Sequence, residues 1–466
     1  MFKKSIVQKT LQTILAFLSK ITIWRYKPLI IGITGSVGKT STKEAVFCVL
    51  KRKYRVRRAE KNYNNEIGLP LTILGIPHYG RNILKWFSAF FRVIFRVILR
   101  QHQYPEILVL EYGIDRPRDM DYLLSIAKPD AAVITAIGEI PVHVEFFADS
   151  LEVAKEKAKL IQALPINGQA ILNADDEVIS EIKNKTKAKI ITFGFYEHAN
   201  IRIMNHELTH RLRSSTEDHS KSSGQALQSD SGQRIINTYG GNSLPEGVAF
   251  KIEYQGKTIP IRLNNCFGKP QVYSASAAIA VGLILNINLV EIAESLTDYL
   301  PPPGRLRLLK GIKNSLILDD TYNASPQAVH EALDVLESLP ATRRIVVLGD
   351  MMEIGKFTEY AHRAIGDKVA KFADILFAVG SKARFIADEA GTRGIEKKSR
   401  KLNEEQIFIF DDAIKAGKKL DKIIKPGDLI LVKGSQSMRM EKAVEEIMAE
   451  PERAKELLVR QDKYWK

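Results

Sequence analysis

The sequence predicts an α/β protein in two parts: a central P-loop-type parallel-sheet domain, followed by a Rossmann-like α/β domain. Three observations predict it. Short apolar runs that end in polar residues alternate with helical patterns along the chain. A glycine-rich loop follows the first of those runs and leads into a helix. Pro301-Pro302-Pro303-Gly304 then punctuates the chain, and a second alternating set comes after it. At 466 residues the chain exceeds one ordinary core.

In order, residues 1–28 form a basic segment with amphipathic character. No Asp or Glu precedes Glu44, whereas Lys3, Lys4, Lys9, Lys20, Arg25 and Lys27 do. Residues 29–34 read as a buried strand, and a helix follows from residue 40 to 51. Further strands are predicted at 107–111, 131–135 and 170–173, which is the grammar of a parallel sheet. Residues 205–246 are rich in Ser, Gln, Asn and Gly and read as a flexible insertion between strands. Small residues at 274–282 predict a closely packed helix. Beyond the proline hinge, strands are expected at 315–318, 344–348, 375–379, 406–409 and 429–432. The predicted parts are therefore 1–28, a central domain 29–300 and a C-terminal domain 301–466.

A second acid-free stretch lies inside an insertion at 79–104. Trp86, Phe87, Phe90, Phe91, Val93, Ile94, Phe95, Val97, Ile98 and Leu99 crowd residues 81–100. On a helix, Arg81, Lys85, Arg92, Arg96 and Arg100 fall within roughly a third of the circumference. Two readings stand: a helix lying on an anionic membrane with its cations at the headgroups, or a basic surface helix packing its apolar side on protein. Neither 1–28 nor 81–100 predicts a membrane span, because cations interrupt both. The first also lacks a small-residue cleavage site. The net charge is +15, but its cations alternate with bulky aliphatics, which argues against nucleic acid as partner. Cys48 and Cys266 make neither a disulfide framework nor a zinc cluster, so a reducing cytoplasm is expected.

The sharpest local signal is Gly32-Ile33-Thr34-Gly35-Ser36-Val37-Gly38-Lys39-Thr40-Ser41. A strand turns through glycines into a helix, so backbone N–H groups and the helix N-terminus can wrap phosphates. Lys39 is expected at the β- and γ-phosphates, and the Thr40 hydroxyl on Mg²⁺. Ile33 stands where the strict phosphate-loop pattern has its first glycine.

This loop resembles that of the Mur ligase family, and further blocks follow in the family's order. They are Asn62-Tyr63-Asn64-Asn65-Glu66-Ile67-Gly68-Leu69-Pro70, Leu110-Glu111-Tyr112-Gly113, Val142-His143-Val144-Glu145 and Leu172-Asn173-Ala174-Asp175-Asp176. Tyr322-Asn323-Ala324-Ser325-Pro326, Leu348-Gly349-Asp350-Met351 and Lys433-Gly434-Ser435 complete the set, from about residue 29 to 445. The resemblance implies an ATP-dependent amide ligase that works through an acyl phosphate. Its implied substrates are a UDP-muramoyl tripeptide and D-alanyl-D-alanine, in cell-wall precursor synthesis, with two Mg²⁺ ions.

It also implies roles. Gly35, Ser36, Val37, Gly38, Lys39, Thr40 and Ser41 would bind the nucleotide phosphates. Glu111 would ligate Mg²⁺ with Thr40, and His143 would hold a second Mg²⁺. Lys157 aligns with a lysine that is carbamylated in several members, which turns a cation into a metal-binding oxygen donor. Asn323 would read the adenine, with Tyr322 and Pro326 shaping the pocket, and Arg305 would swing towards ATP on closure. Asn64 and Asn65 belong to the substrate signature; Asp350, His362, Lys433 and Ser435 would face the incoming amine.

The match departs from the family in places. Only 28 residues precede Leu29, where the family has a domain that grips the uridine nucleotide. Pro270 and Gln436 stand where a polar residue and an arginine are usual. Two alternatives follow: a Mur-like ligase with another, membrane-proximal carboxylate and amine, or an ATP-binding membrane scaffold without turnover.

Overall fold

The computed structural model describes residues 6–59, 63–99, 103–209, 246–392 and 402–461. Its first sheet contains β1 (Leu29–Thr34), β2 (Val56–Arg58), β3 (Ile107–Glu111), β4 (Ala131–Ile134) and β5 (Gln169–Asn173). It continues with β6 (Lys189–Gly194), β7 (Ile201–Thr209), β8 (Gly247–Tyr254) and β9 (Lys257–Asn264). The spatial order is β2-β3-β1-β4-β5-β6-β7-β8-β9. Pairing is parallel from β2 to β7, and β8 and β9 extend the far edge antiparallel. Strand order diverges at β1, between β3 and β4. Open α/β sheets bind ligands in the crevice beyond such a switch point.

The second sheet holds β10 (Arg307–Lys310), β11 (Leu316–Asp320), β12 (Arg343–Gly349), β13 (Ile375–Val379), β14 (Ile407–Phe410) and β15 (Asp428–Lys433). Its order is β10-β11-β15-β12-β13-β14, parallel except for β10, which caps the edge antiparallel to β11.

The helices that matter for the site are α1 (Ile6–Tyr26), α2 (Lys39–Leu50), α3 (Gly68–Leu74), α4 (Ile83–Ile98), α5 (Asp119–Ile126) and α6 (Ser150–Gln162). After α7 (Glu177–Ile182), α8 (Lys269–Ile284) contains the small-residue run. That run lets α8 close on α2: a Cβ on Gly282 would sit 3.0 Å from Val49 Cγ1. In the second half come α9 (Leu289–Leu296), α10 (Pro326–Ser338) and α11 (Thr358–Phe372).

All the strands predicted from the sequence are present, shifted at most two residues at an end. The prediction omitted β2, β6, β7, β8, β9 and β10, which are short, edge-lying or partly polar. It also placed residues 205–209 in the insertion, whereas they continue β7 and pair with β8. Alternating exposed polar residues hide this strand in the sequence. Residues 210–245 of the insertion lie outside the described residues, as do Lys3, Lys4 and Arg100 of the basic segments.

Helices α1, α3 and α4 form a small core of their own from Leu15, Leu18, Leu71, Leu74, Ile76, Trp86, Ala89 and Val93. Asn82 caps α4 by accepting from Lys85 N (3.0 Å). The Trp86 indole donates to Gly80 O (3.1 Å), Tyr26 Oη to Arg96 O (2.6 Å) and Arg25 Nε to Val97 O (3.2 Å), so both ends of α4 are tied down. Among the described residues no helix is long and apolar enough to cross a membrane.

Trp86 is the wedge of this layer. Truncating it to Ala should cost about 3 kcal/mol locally. Hydrogen exchange should then show α4 amide protection falling on the order of a hundredfold, with the central strands unaffected.

Candidate functional site

The loop after β1 owes its shape to two glycines. Gly35 has φ +147°, and a Cβ there would meet Thr135 Oγ1 at 2.1 Å. Gly38, at φ +87°, begins α2. Ser36 N donates to Ala136 O (2.6 Å), and Thr135 Oγ1 donates to Val37 O (2.5 Å), so the turn after β4 holds the loop from below. The Ser36 hydroxyl is buried without a hydrogen-bond partner among the described residues. The first turn of α2 contains no acid, which leaves its N-terminal N–H groups in a positive field.

Lys39 curls back onto the loop, donating to Gly35 O (2.7 Å) and Ser36 O (3.3 Å). Burial pushes its ammonium down to about 8; Arg305 adds to this while Glu111 and Asp115 oppose it. Glu111 ends β3 and is buried; its Oε2 lies 3.5 Å from Thr40 Oγ1. The other oxygen, Oε1, sits 3.2 Å from Lys43 Nζ without hydrogen-bond alignment. Lys43 itself is buried, donating to Ala59 O (2.7 Å), with Glu44 at 3.3 Å. Sequence reasoning passed over Lys43, although a lysine one helical turn after Lys39 was a signal.

Asn64 and Asn65 lie just before α3. Asn64 O accepts from Gly113 N (2.8 Å), and a Cβ on Gly113 would press on Asn64 Cγ at 2.8 Å. Asn65 Oδ1 accepts from Gly68 N (2.9 Å) at the start of α3. This loop therefore joins the end of β3 to the α1–α3–α4 layer. Asn62 lies outside the described residues.

Lys157 separates from its neighbours on α6. Lys155 and Lys159 reach solvent and pair with Glu152 and with Asp121 and Glu156, whereas Lys157 is 2% exposed. Burial drives its ammonium well below the ordinary lysine value, with Lys39 adding to the shift. Asp115 and Glu156 offset only part, since the Glu156 oxygens are held by Met120 N (3.0 Å) and Lys159 Nζ (2.7 Å). Alternate lysines in the sequence look alike; α6 turns only one of them inward.

His143 occupies the turn after β4 with φ 68°. Its Nδ1 lies 2.8 Å from Glu353 Oε2 and its Nε2 3.5 Å from Asp115 Oδ1. Glu353 follows β12, so this contact crosses from the first sheet to the second. Asp176 anchors the same turn by accepting from Ile137 N (2.7 Å) and Gly138 N (3.1 Å). Neither Glu353 nor Asp176 was singled out as functional from the sequence, because only the tertiary contact gives them a partner.

From the second half, Arg305 stacks on the Tyr322 ring at 3.9 Å, and its Nε is buried without a hydrogen bond among the described residues. Arg460 approaches the same ring at 5.9 Å and donates to Tyr322 O (2.9 Å). Gly304 N and Leu306 N are held by Asp319 Oδ2 (3.0 Å) and Asp320 Oδ1 (3.2 Å), so the segment after the proline run rests on β11. Asn323 Oδ1 accepts from Gln436 N (3.3 Å).

Asp350, His362, Lys433 and Ser435 gather at the ends of β12 and β15, with their polar groups engaged inside the chain. Lys433 Nζ is buried against Asp320 Oδ2 (2.5 Å) and Asn323 O (3.0 Å). Asp350 Oδ1 accepts from Ala383 N (2.7 Å) and Lys382 N (3.0 Å). Ser435 Oγ accepts from Met352 N (2.8 Å), and the buried His362 accepts from Met351 N through Nε2 (3.0 Å). They shape the 350–353 and 433–438 loops from within.

Lys157 gives a test of this electrostatics. Its folded pKa lies below the unfolded value of 10.5, so the unfolded chain binds more protons between the two. The penalty is full below the folded value and fades as pH rises towards 10.5. In carbon-dioxide-free buffer Lys157→Met should therefore raise the melting temperature at pH 7 and change it little near pH 10. Thermal unfolding of both proteins across that range measures it.

Comparison with known proteins agrees with this geometry. Residues 33–85 and 95–282 match the Mur ligase middle domain, and residues 304–436 match the Mur ligase glutamate ligase domain. The chain is 30% identical over 445 residues to UDP-N-acetylmuramoyl-tripeptide–D-alanyl-D-alanine ligase of Bacillus subtilis, covering 94% of this chain and 80% of that one. The Escherichia coli protein of the same name is 25% identical, covering 89% and 76%. MurF ligase from Thermotoga maritima, solved in complex with ADP, superposes with a TM-score of 0.69 at 25% identity, over 96% of this chain and 84% of that one. Mycobacterium tuberculosis folylpolyglutamate synthase shares the fold at 14% identity, with a TM-score of 0.62 over 96% and 95% of the two chains. With both of its sheets and nearly its whole length accounted for in this way, the chain belongs to the Mur ligase family.

Proposed function

We propose that this chain is an ATP-dependent amide ligase that adds D-alanyl-D-alanine to UDP-N-acetylmuramoyl tripeptide in peptidoglycan precursor synthesis. The observation that carries the phosphate chemistry is the glycine loop of residues 35–41. It couples a helix N-terminus, a buried free hydroxyl on Ser36 and the Lys39 ammonium. Such a cradle is built for a polyphosphate. The substrate pair rests on the relatives' names and on near full-length similarity to them.

Thr40 Oγ1 and Glu111 Oε2 are hard oxygens on adjoining elements, 3.5 Å apart, and fit one Mg²⁺. Among the described residues no three His, Cys, Asp or Glu side chains converge on a point. Mg²⁺ held by one or two protein oxygens together with phosphates and water needs no such cluster. His143 would hold a second ion. Lys157 as an ammonium does not fit beside a cation, but its lowered pKa favours the free amine. That amine can add to carbon dioxide, releasing a proton and leaving a carbamate oxygen donor. Bound Mg²⁺ would supply positive charge to the phosphoryl oxygens during transfer.

In this reading the substrate carboxylate attacks the γ-phosphorus, ADP departs and an acyl phosphate forms. Lys39 leaves its loop carbonyls to meet the β- and γ-phosphates, and Arg305 lends charge from the second half. Asn323 and Tyr322 border the adenine. The amine then attacks the acyl carbon, phosphate leaves and the amine's proton passes to solvent. Asn64 and Asn65 hold the carboxylate substrate, while Asp350, His362, Lys433 and Ser435 frame the loops where the amine enters. A second reading, favoured by the outward apolar face of α4, is the same ligation on a lipid-anchored carboxylate.

Phosphate release that needs both substrates, with a pentapeptide product by mass spectrometry, is the expected result. Lys39→Ala should lower it at least about a thousandfold. Release at background with this pair, but not with a lipid-anchored acceptor, would favour the second reading. Because Lys39 sits at about 8 when free, phosphates that favour its charged form should make the protein take up protons on binding ATP at pH 8. Calorimetry in buffers of differing ionisation enthalpy should show this uptake, and Lys39→Arg should abolish it. With ¹³C-bicarbonate, wild type should display a carbamate resonance that Lys157→Arg lacks.

A further inference from the structure

The outer face of α4 has no role in the ligation chemistry. At about 100° per residue the helix divides into three sectors. Trp86, Ala89 and Val93 turn inward to the α1–α3 core. Ile83, Leu84, Phe87, Phe91, Ile94, Phe95 and Ile98 form the opposite, outward sector. Of these, Leu84, Phe87, Phe91 and Ile98 each leave more than two thirds of their surface open. Arg81, Lys85, Arg92 and Arg96 line the border between the two. A soluble helix that packs only on its own protein puts its apolar stripe inward; this one presents a second stripe outward.

The neighbouring α1 extends the same character. Val7, Ile14, Phe17 and Trp24 recur on one side of it and are exposed, with Lys9 and Lys20 also exposed. Arg92 and Arg96 face no carboxylate among the described residues: Arg92 donates to Tyr79 Oη (3.1 Å) and Ser88 O (3.4 Å), and Arg96 to Arg92 O (3.4 Å). Between them lies a groove of about 490 Å³ lined by Gly75, Phe91, Arg92, Phe95 and Arg96. Its walls are aromatic and its cations are unneutralised, a combination suited to an acyl chain with its phosphate.

We propose that α1 and α4 form a docking face for an anionic phospholipid bilayer, with the Arg92–Arg96 groove receiving a lipid phosphate. Charge complementarity selects this occupant: a row of cations without acids borders a wide aromatic and aliphatic stripe, the arrangement of helices that lie in the headgroup layer. Neither helix spans; both lie flat. The face is also continuous with the candidate site. α1 and α4 rest on α3, whose N-terminal loop carries Asn64 and Asn65, and Gln12 on α1 donates to Glu66 Oε1 in that loop (3.2 Å). Docking would set the site beside the headgroups. The inference stands whatever carboxylate is ligated.

The test is co-sedimentation of the full chain with vesicles of phosphatidylcholine alone or mixed equally with phosphatidylglycerol. Mixed vesicles should bind at least about tenfold more tightly, and added salt should weaken the binding. Phe87→Gln with Phe91→Gln should lower it at least about tenfold, and Arg92→Gln with Arg96→Gln should remove the preference for anionic lipid. All four side chains lie at the surface, and an unchanged melting temperature would show that the variants fold. Equal binding to both vesicles, or full binding by the Phe87/Phe91 variant, would overturn the proposal. So would self-association abolished by the same substitutions without vesicle binding, which would assign the face to a second copy.

Discussion

Too many buried cations meet too few anions around the phosphate loop, and much of the site's architecture follows from that imbalance. Lys39 and Lys43 both act on one buried carboxylate, Glu111, while Arg305 opposes the charge on Lys39 and Lys39 opposes that on Lys157. Bringing such charges out of water is costly unless something neutralises them. The fold answers in three ways. Lys43 is tied to Ala59 O, Lys39 is parked on its own loop carbonyls, and Lys157 is pushed towards the uncharged amine. A polyanion entering the loop would offset the remaining positive charge, which is the physical basis of the proposed phosphate site.

The second half of the chain is fastened to this charge centre by specific contacts. Asp319 and Asp320 end β11 and hold the backbone at Gly304 and Leu306, which fixes where Arg305 begins. Tyr322 then lies between Arg305 and Arg460. Across the cleft Glu353 reaches His143, and a Cβ on Gly138 would strike Gln327 Oε1 at 2.3 Å. Burial lifts the Asp319 carboxyl to about 6, a sign of how little water reaches the end of β11.

The α1–α3–α4 layer connects a different kind of surface to the same centre. Its inner side is an ordinary core of leucines around Trp86, whereas its outer side is apolar and cationic. The Asn64–Asn65 loop belongs to both the layer and the end of β3, so it ties the two together mechanically.

Local signals were legible in the sequence. Buried parallel strands are continuous apolar runs, so β1, β3, β4 and β5 stood out, and the glycine loop announced itself because positive φ and close backbone approach demand glycine at 35 and 38. The grouping of the α4 cations on about a third of the helix was also visible, since helical periodicity alone places them together, but which part of the apolar remainder turns inward was not. Tertiary structure decided the rest. It chose Lys157 over Lys155 and Lys159 by the rotation of α6 against the sheet, and it gave Lys43 its carboxylates. It showed that Asp350, His362, Lys433 and Ser435 are occupied by partners inside the chain, and it carried residues 205–209 into a strand whose partner lies beyond the insertion. The physical reason is common to all of these. Period and backbone conformation are properties of neighbouring residues, whereas burial, charge compensation and strand partnership depend on residues tens to hundreds of positions away.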